Sequence, residues 1–158
     1  MDGKEVIRIV ILAIGSTDLD LAISVGEKLE KKCYGSIEAF VPVWKEHVSL
    51  TGFDVEKGLY NAVQVANQIY EKYRVLVKDY NVVVVGLFEA KGFLENNNPT
   101  VLYTDESRRT ILVFTGDLEE KDDCLLEEKV LRLVLDGLSR MNMELSCMVP
   151  DNIGENLF

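Results

Sequence analysis

The chain has 158 residues, with 27 Asp and Glu against 17 Lys and Arg, a formal net charge of −10, one His and three Cys. The acidic excess disfavours nonspecific nucleic-acid binding, which needs Lys and Arg to neutralise phosphates. No apolar run reaches the roughly 20 residues of a membrane span. A single histidine excludes any mechanism that needs two or three imidazoles from this chain. At this length a single domain, residues 1–158, is expected.

The first half of the chain predicts a β-α-β-α order. Residues Ile7–Ile14 are β-branched and apolar, as in a strand buried on both faces. A helix follows over Asp18–Lys32, with Asp18 as its capping residue. A second strand, Ile37–Val43, leads to a polar connection over residues 45–58. An apolar stripe at helical spacing then runs from Leu59 to Val77 and predicts a second helix.

The second half predicts three strands and a final helix. The strands are Val82–Val85, a short Thr100–Thr104 and Thr110–Thr115, and the helix is Asp122–Cys147. Alternating strands and helices predict an α/β fold with a mostly parallel, four- to five-stranded sheet packed by three main helices. The short Thr100–Thr104 segment is expected to be an antiparallel edge strand of that sheet.

The cysteines and the histidine show no spacing typical of a catalytic or metal site. Cys33, Cys124 and Cys147 lie far apart and form no CxxC pair. Each is predicted to be an inert side chain in a reduced, cytoplasmic compartment. His47 is predicted to be exposed in a polar loop. Pairing of His47 with a Ser or Cys nucleophile stays open, although no GxSxG elbow is present.

Several local patterns, taken in their order and spacing, resemble those of archaemetzincins, small zinc-dependent metalloproteases found in archaea. The segments that carry the resemblance span about residues 6–147 and are IRIVILAIG, a strand ending near PVW, FDVEKGLYNAVQVANQI, DYNVVVVGLFEA and RRTILVFTGDL. The resemblance implies a zincin-like fold for the whole chain. It also implies that the last helix is the one that carries the active site in that family.

In that family the last helix bears HExxHxxGxxHC, in which histidines bind zinc and the Glu is the general base. The corresponding stretch here is DGLSRMNMELSC, residues 136–147. Five of its positions depart from the family motif and one is retained: Asp136, Gly137, Arg140, Met143 and Ser146 are changed, and Cys147 is kept.

These changes bear directly on the family's chemistry. Arg140 replaces a zinc-binding histidine, and an arginine cannot be deprotonated to bind a metal. Gly137 replaces the general base and has no side chain to act with. The resemblance therefore implies a homologue with no catalytic residues, no zinc and no other cofactor. An ion pair between Asp136 and Arg140, one helical turn apart, is expected in place of the metal.

A peptide- or protein-binding groove is the function that this reasoning favours. It would lie between the last helix and the edge strand, since an exposed edge can accept an extended segment. The predicted groove residues are Thr100, Val101, Leu102, Tyr103, Thr104, Arg108 and Arg109, with Asn96–Asn98 at the rim. The acidic surface favours a basic partner. For Arg108 and Arg109, protection of an edge strand by charge is a competing interpretation.

Two other functions stay open at this point. The first is an active hydrolase, either an enzyme of different chemistry or a metalloprotease with substitute ligands. Those ligands would be drawn from Asp136, Glu144, Cys147, Asp151 and His47. A set rich in carboxylates suits hard cations better than zinc. The second is a subunit that assembles with a partner chain through the apolar last helix. The sequence determines neither a substrate nor an oligomeric state.

Overall fold

The computed structural model describes residues 6–79, 81–94, 98–116, 118 and 123–141. Its three helices are α1 (Leu19–Lys32), α2 (Ala62–Tyr73) and α3 (Asp123–Arg140). Nine strands occur in these residues, in chain order β1 (Ile7–Ile14), β2 (Ile37–Phe40), β3 (Phe53–Asp54), β4 (Leu59–Asn61), β5 (Val82–Phe88), β6 (Gly92–Phe93), β7 (Pro99–Thr100), β8 (Leu102–Asp105) and β9 (Thr110–Phe114).

The main sheet has five strands in the order β2-β1-β5-β9-β8. All neighbouring pairs are parallel except β8 with β9, which is antiparallel and pairs Leu102 with Val113 and Thr104 with Ile111. This mostly parallel sheet with one antiparallel edge strand confirms the fold class predicted from the sequence. A second, smaller sheet joins β3, β4, β6 and β7.

The two faces of the main sheet build two separate apolar clusters. Alternate residues of β1 point to opposite faces, as in any strand. Ile9 and Ile11 pack with α1 and α3 on one face, and Leu12 and Ile14 pack with α2 on the other. Because both faces are covered, β1, β5 and β9 are apolar almost throughout. Helices α1 and α3 therefore lie on the opposite side of the sheet from α2.

Helix α2 begins three residues later than predicted. The side chain of Asn61 accepts a hydrogen bond from the Gln64 backbone N–H at 3.2 Å, which makes Asn61 the N-cap. Leu59–Asn61 instead form β4, paired with β3 and β6. The apolar stripe continues past α2 into a 3₁₀ turn at Leu76–Lys78. The helical spacing therefore predicted α2 correctly, but the residues at the two ends of the apolar stripe form β4 and the 3₁₀ turn instead.

The predicted edge strand Thr100–Thr104 is wrong as a single element. Thr100 lies in β7, which pairs with β6 in the small sheet, whereas Leu102–Asp105 form β8 in the main sheet. The chain changes sheets at Val101. The strand predicted to reach Val43 also ends early, at Phe40, two residues before Pro42, which has no N–H to donate to a ladder. Helix α3 ends at Arg140, and the predicted continuation to Cys147 lies outside the described residues.

Cys33, predicted to be an inert side chain, is not a free thiol. Its side chain is fully buried at the end of α1 and is disulfide-bonded. The cytoplasmic location stays a prediction. Among the helices of the described residues, none is both long enough and apolar enough to cross a membrane.

Candidate functional site

The expected ion pair is present on the exposed side of α3. Asp136 Oδ2 lies 3.0 Å from Arg140 Nη2, and the two side chains are 46% and 56% exposed. The opposite side of the helix packs into the core through Val130, Val134 and Leu138. Both residues therefore stand on the solvent side of the helix, and each neutralises the other's charge.

Gly137 lies on the inner side of α3, against the main sheet. A Cβ atom placed on Gly137 would be 3.0 Å from Ile111 Cδ1 on β9 and 3.3 Å from Thr104 Cγ2 on β8. These distances are shorter than ordinary van der Waals contact, so the missing side chain lets the helix approach both strands closely. The space that a longer residue would need is filled by Ile111 and Thr104.

Zinc is the metal that the fold implies, and the residues described here do not fit it. Asp136 offers one carboxylate, but its oxygen is already paired with a guanidinium that cannot become a ligand. Gly137 supplies no group. Within the described ranges, no three His, Cys, Asp or Glu side chains lie close enough together to hold a metal ion. Three further motif positions, Met143, Ser146 and Cys147, lie outside those ranges.

Of the remaining ligands suggested for an active hydrolase, His47 is the one that lies among the described residues, and it is not close to Asp136. His47 is exposed, and its backbone carbonyl accepts a hydrogen bond from Lys72 Nζ of α2 at 3.1 Å. Helix α2 covers the opposite face of the sheet from α3, so His47 is on the far side from Asp136. The other three suggested ligands, Glu144, Cys147 and Asp151, lie outside the described residues.

Two residues of β8, Leu102 and Thr104, direct backbone N–H and C=O groups away from β9, and they differ in whether these groups are hydrogen-bonded. The Phe114 N–H donates to the Val101 carbonyl at 2.9 Å, and bonded pairs alternate along an antiparallel ladder. The backbone N–H and C=O groups of Val101 and Tyr103 therefore point toward β9, whereas those of Leu102 and Thr104 point away from it. The outward groups of Leu102 bond to the side-chain hydroxyl of Thr100. For those of Thr104 we find no partner in the described part of the chain.

Arg108 and Arg109 do not stand beside α3. The Arg108 guanidinium donates to the Asn67 side chain of α2 and lies 5.2 Å from the centre of the Tyr70 ring. Arg109 donates from Nε to the Val82 carbonyl at 3.3 Å. Their interactions fasten the β8–β9 turn to α2 and β5. Of the predicted groove residues, the structure brings only Leu102 and Thr104 toward α3.

A second polar cluster, which sequence reasoning missed, is centred on Glu46. The carboxylate accepts hydrogen bonds from Tyr73 Oη, from Trp44 Nε1 at 2.8 Å and from Lys72 Nζ at 2.9 Å. The backbone of Glu46 also extends the sheet, because its N–H donates to Ala13 at 2.9 Å and its carbonyl accepts from Gly15 at 2.7 Å. This Glu46 cluster thus ties the loop after β2 both to β1 and to α2.

The ionisation of the Glu46 cluster follows from its surroundings. Burial alone raises the pKa of Glu46, but the hydrogen bonds from Tyr73, Lys72 and Trp44 outweigh it and leave the pKa below the ordinary value of 4.5. Burial, reinforced by the bond to Glu46, raises the pKa of Tyr73 to about 12. Glu46 is therefore held as a carboxylate and Tyr73 as a neutral phenol. One signal could have pointed to the cluster: Tyr73 lies on the apolar stripe of α2, where a buried hydroxyl needs a partner.

The chain shares its fold with solved structures of a zinc-dependent peptidase and of two archaemetzincins. The chain is similar to a zinc-dependent peptidase from Methanocorpusculum labreanum, with a TM-score of 0.67 and 13% identity over 84% of this chain and 80% of that one. It is similar to an archaemetzincin from Methanopyrus kandleri, with a TM-score of 0.67 and 14% identity over 91% and 77%. An archaemetzincin from Archaeoglobus fulgidus, crystallised with malonate, gives a TM-score of 0.64 and 16% identity over 85% and 75%.

These similarities show that the chain has an archaemetzincin-like fold, as the sequence resemblance implied. No family model and no curated protein matches the sequence. At 13–16% identity the likeness concerns the fold alone. Any activity therefore has to be argued from the residues of this chain.

Proposed function

We propose that this protein is a non-catalytic member of the archaemetzincin fold, which has lost both the metal and the general base of a metallopeptidase. One observation carries the proposal: on the helix that would present the zinc ligands, Asp136 is paired with Arg140 at 3.0 Å. A permanent positive charge at that place repels a metal cation. It also occupies the one carboxylate that the helix offers there.

The packing at Gly137 supports the same conclusion. A general base needs a side chain that reaches a water molecule, and Gly137 has none. Ile111 and Thr104 fill the space next to the helix backbone, so neighbouring residues supply no replacement group there. The two features are independent, because one concerns the exposed side of α3 and the other its buried side.

Metal analysis of the purified protein, combined with a peptidase assay, tests the proposal. The protein is dialysed against Zn²⁺, and bound zinc is counted by mass spectrometry for the wild type, for Asp136→Ala and for Glu71→Ala. Glu71 is a matched control, since it forms an exposed ion pair with Arg74 on α2. We expect less than stoichiometric zinc in all three proteins and no cleavage of unstructured fluorogenic peptides.

The opposite result would establish an active enzyme with substitute ligands. That result is one zinc per chain in the wild type and in Glu71→Ala, lost in Asp136→Ala, together with zinc-dependent cleavage. Because Glu71→Ala removes an exposed helix carboxylate elsewhere, it separates loss of a ligand from a general change in surface charge.

Binding of an extended basic peptide along β8 is a second candidate function. It is favoured by the outward N–H and C=O of Thr104, which can pair with an added strand, and by the net charge of −10. Thr104→Pro removes the outward N–H without touching a bond to β9, whereas Thr104→Val keeps it. We expect a fluorescein-labelled peptide of alternating Lys and Val to bind the wild type and Thr104→Val, but not Thr104→Pro, in fluorescence anisotropy. Equal binding to all three proteins would contradict this candidate.

A further inference from the structure

The Thr100 hydroxyl occupies the backbone groups that a peptide on β8 would use first. It accepts from the Leu102 N–H at 3.3 Å and donates to the Leu102 carbonyl at 2.7 Å. Leu102 is one of the two β8 residues whose backbone groups point away from β9. A strand adding to this edge would therefore compete with a side chain of the protein itself.

Only rotation of a side chain is needed to end this competition. The backbone of Thr100 is held by β7, where Thr100 pairs with Gly92 of β6. The hydroxyl can leave Leu102 by a change of χ1 between staggered rotamers, with no movement of either strand. The contact is thus local and reversible.

The opposite edge of the sheet is closed differently. In β2 the Ile37 N–H donates to the Cys33 carbonyl at 3.2 Å, and the Ala39 N–H donates to Glu30 Oε2 of α1 at 2.8 Å. The first of these bonds is part of the turn that connects α1 to β2 and cannot open by side-chain rotation. Rotation of the Glu30 side chain would free the Ala39 N–H alone, whereas on β8 one rotamer change of Thr100 frees both the N–H and the C=O of Leu102.

We propose that Thr100 is an internal gate on the β8 edge. With its hydroxyl on Leu102, the edge offers an incoming chain the backbone groups of Thr104 alone. With the hydroxyl turned away, the edge offers both Leu102 and Thr104, spaced as the alternate bonding positions of one strand. The gate rests on the peptide-binding function proposed for β8.

Amide hydrogen exchange tests whether the contact exists in solution. Thr100→Val keeps the β-branched shape and removes the hydroxyl, and Thr100→Ser keeps the hydroxyl as a matched control. We expect the Leu102 amide to exchange about tenfold faster in Thr100→Val than in the wild type or in Thr100→Ser, the effect of one hydrogen bond. Equal rates in the wild type and Thr100→Val would overturn the gate. Thermal unfolding of each variant confirms that it is folded.

Peptide affinity tests whether the contact is a gate. With the labelled Lys-Val peptide, we expect Thr100→Val to bind about tenfold tighter than the wild type, and Thr100→Ser to match the wild type. Equal affinity for the wild type and Thr100→Val, with binding abolished by Thr104→Pro, would overturn the gate and keep the peptide-binding function. Failure of all variants to bind, with the expected exchange rates, would overturn both.

Discussion

Glu46 and Asp136 each pair with a cation, but their surroundings are opposite. The Glu46 side chain is 10% exposed and accepts hydrogen bonds from three side chains, whereas the Asp136 side chain is 46% exposed and, among the described residues, pairs with Arg140. Exposed ion pairs contribute little because water and salt screen them and two long side chains lose freedom. The ion pair at the position singled out by the family resemblance is therefore weak, whereas the more buried Glu46 carboxylate bonds to α2 on the other face of the sheet.

The largest effect is expected from removing the Glu46 carboxylate. In Glu46→Ala the Tyr73 hydroxyl and the Trp44 N–H lose a partly buried acceptor and Lys72 loses its counter-ion. We expect the free energy of unfolding to fall by about 3 kcal/mol, measured by urea denaturation. Glu46→Gln is the control, because it keeps an acceptor oxygen and removes the charge. If Glu46→Ala lowered the free energy of unfolding by less than the loss of an exposed ion pair does, the cluster would not stabilise the fold.

We expect the Glu46 cluster to make the free energy of unfolding depend on pH. Because the folded-state pKa of Glu46 lies below its value in the unfolded chain, its contribution is present above about pH 4.5 and is lost as the pH falls through the folded pKa. The difference in unfolding free energy between the wild type and Glu46→Gln should therefore become smaller as the pH falls below about 4.5. A constant difference between pH 7 and pH 3 would contradict the assigned hydrogen bonds.

Tyr73→Phe should have an intermediate effect, of about 1–2 kcal/mol, because it removes one bond to a buried carboxylate. Since the pKa of Tyr73 is raised to about 12, the neutral phenol stabilises the fold. Its contribution is present below the ordinary value of 10.0 and is lost as the pH rises toward 12. Chemical denaturation of the wild type and Tyr73→Phe measures the loss of unfolding free energy at pH 8. The same measurement at pH 11 shows whether that loss becomes smaller.

The smallest effect is expected at the motif position itself. Asp136→Ala should lower the unfolding free energy by only about 0.3–0.5 kcal/mol, as for exposed pairs one helical turn apart. The loss should disappear in 1 M salt, where exposed charges are screened. A loss comparable to that of Glu46→Ala would reverse the contrast between the two carboxylates.

Much of the main sheet could be predicted because its signals are local. The apolar run Ile7–Ile14, the cap at Asp18 and the stripe of α2 each depend on neighbouring residues, and the structure has each of these elements. Thr100–Thr104 failed because its division between two sheets depends on distant partners, Gly92 and Val113. Short strands carry no periodic signal of their own.

The polar sites also differ in whether the sequence could predict them, depending on how far apart their residues lie in the chain. The pairing of Asp136 with Arg140 could be predicted, since residues four apart share one side of a helix. The Glu46 cluster could not, because Tyr73 and Lys72 lie 27 and 26 positions further along the chain. The placement of Arg108 on α2 was equally hidden, since its partner Asn67 is 41 positions away.

If the proposed loss of activity took place, the close contact at Gly137 would make it hard to reverse. On the proposed history, a glutamate returning to position 137 would meet Ile111 and Thr104, which now occupy the volume its side chain needs. The sheet residues would have to become smaller before the helix residue could become larger. A lineage that had passed this point would therefore need several substitutions in a set order, the first of which bring no catalytic benefit.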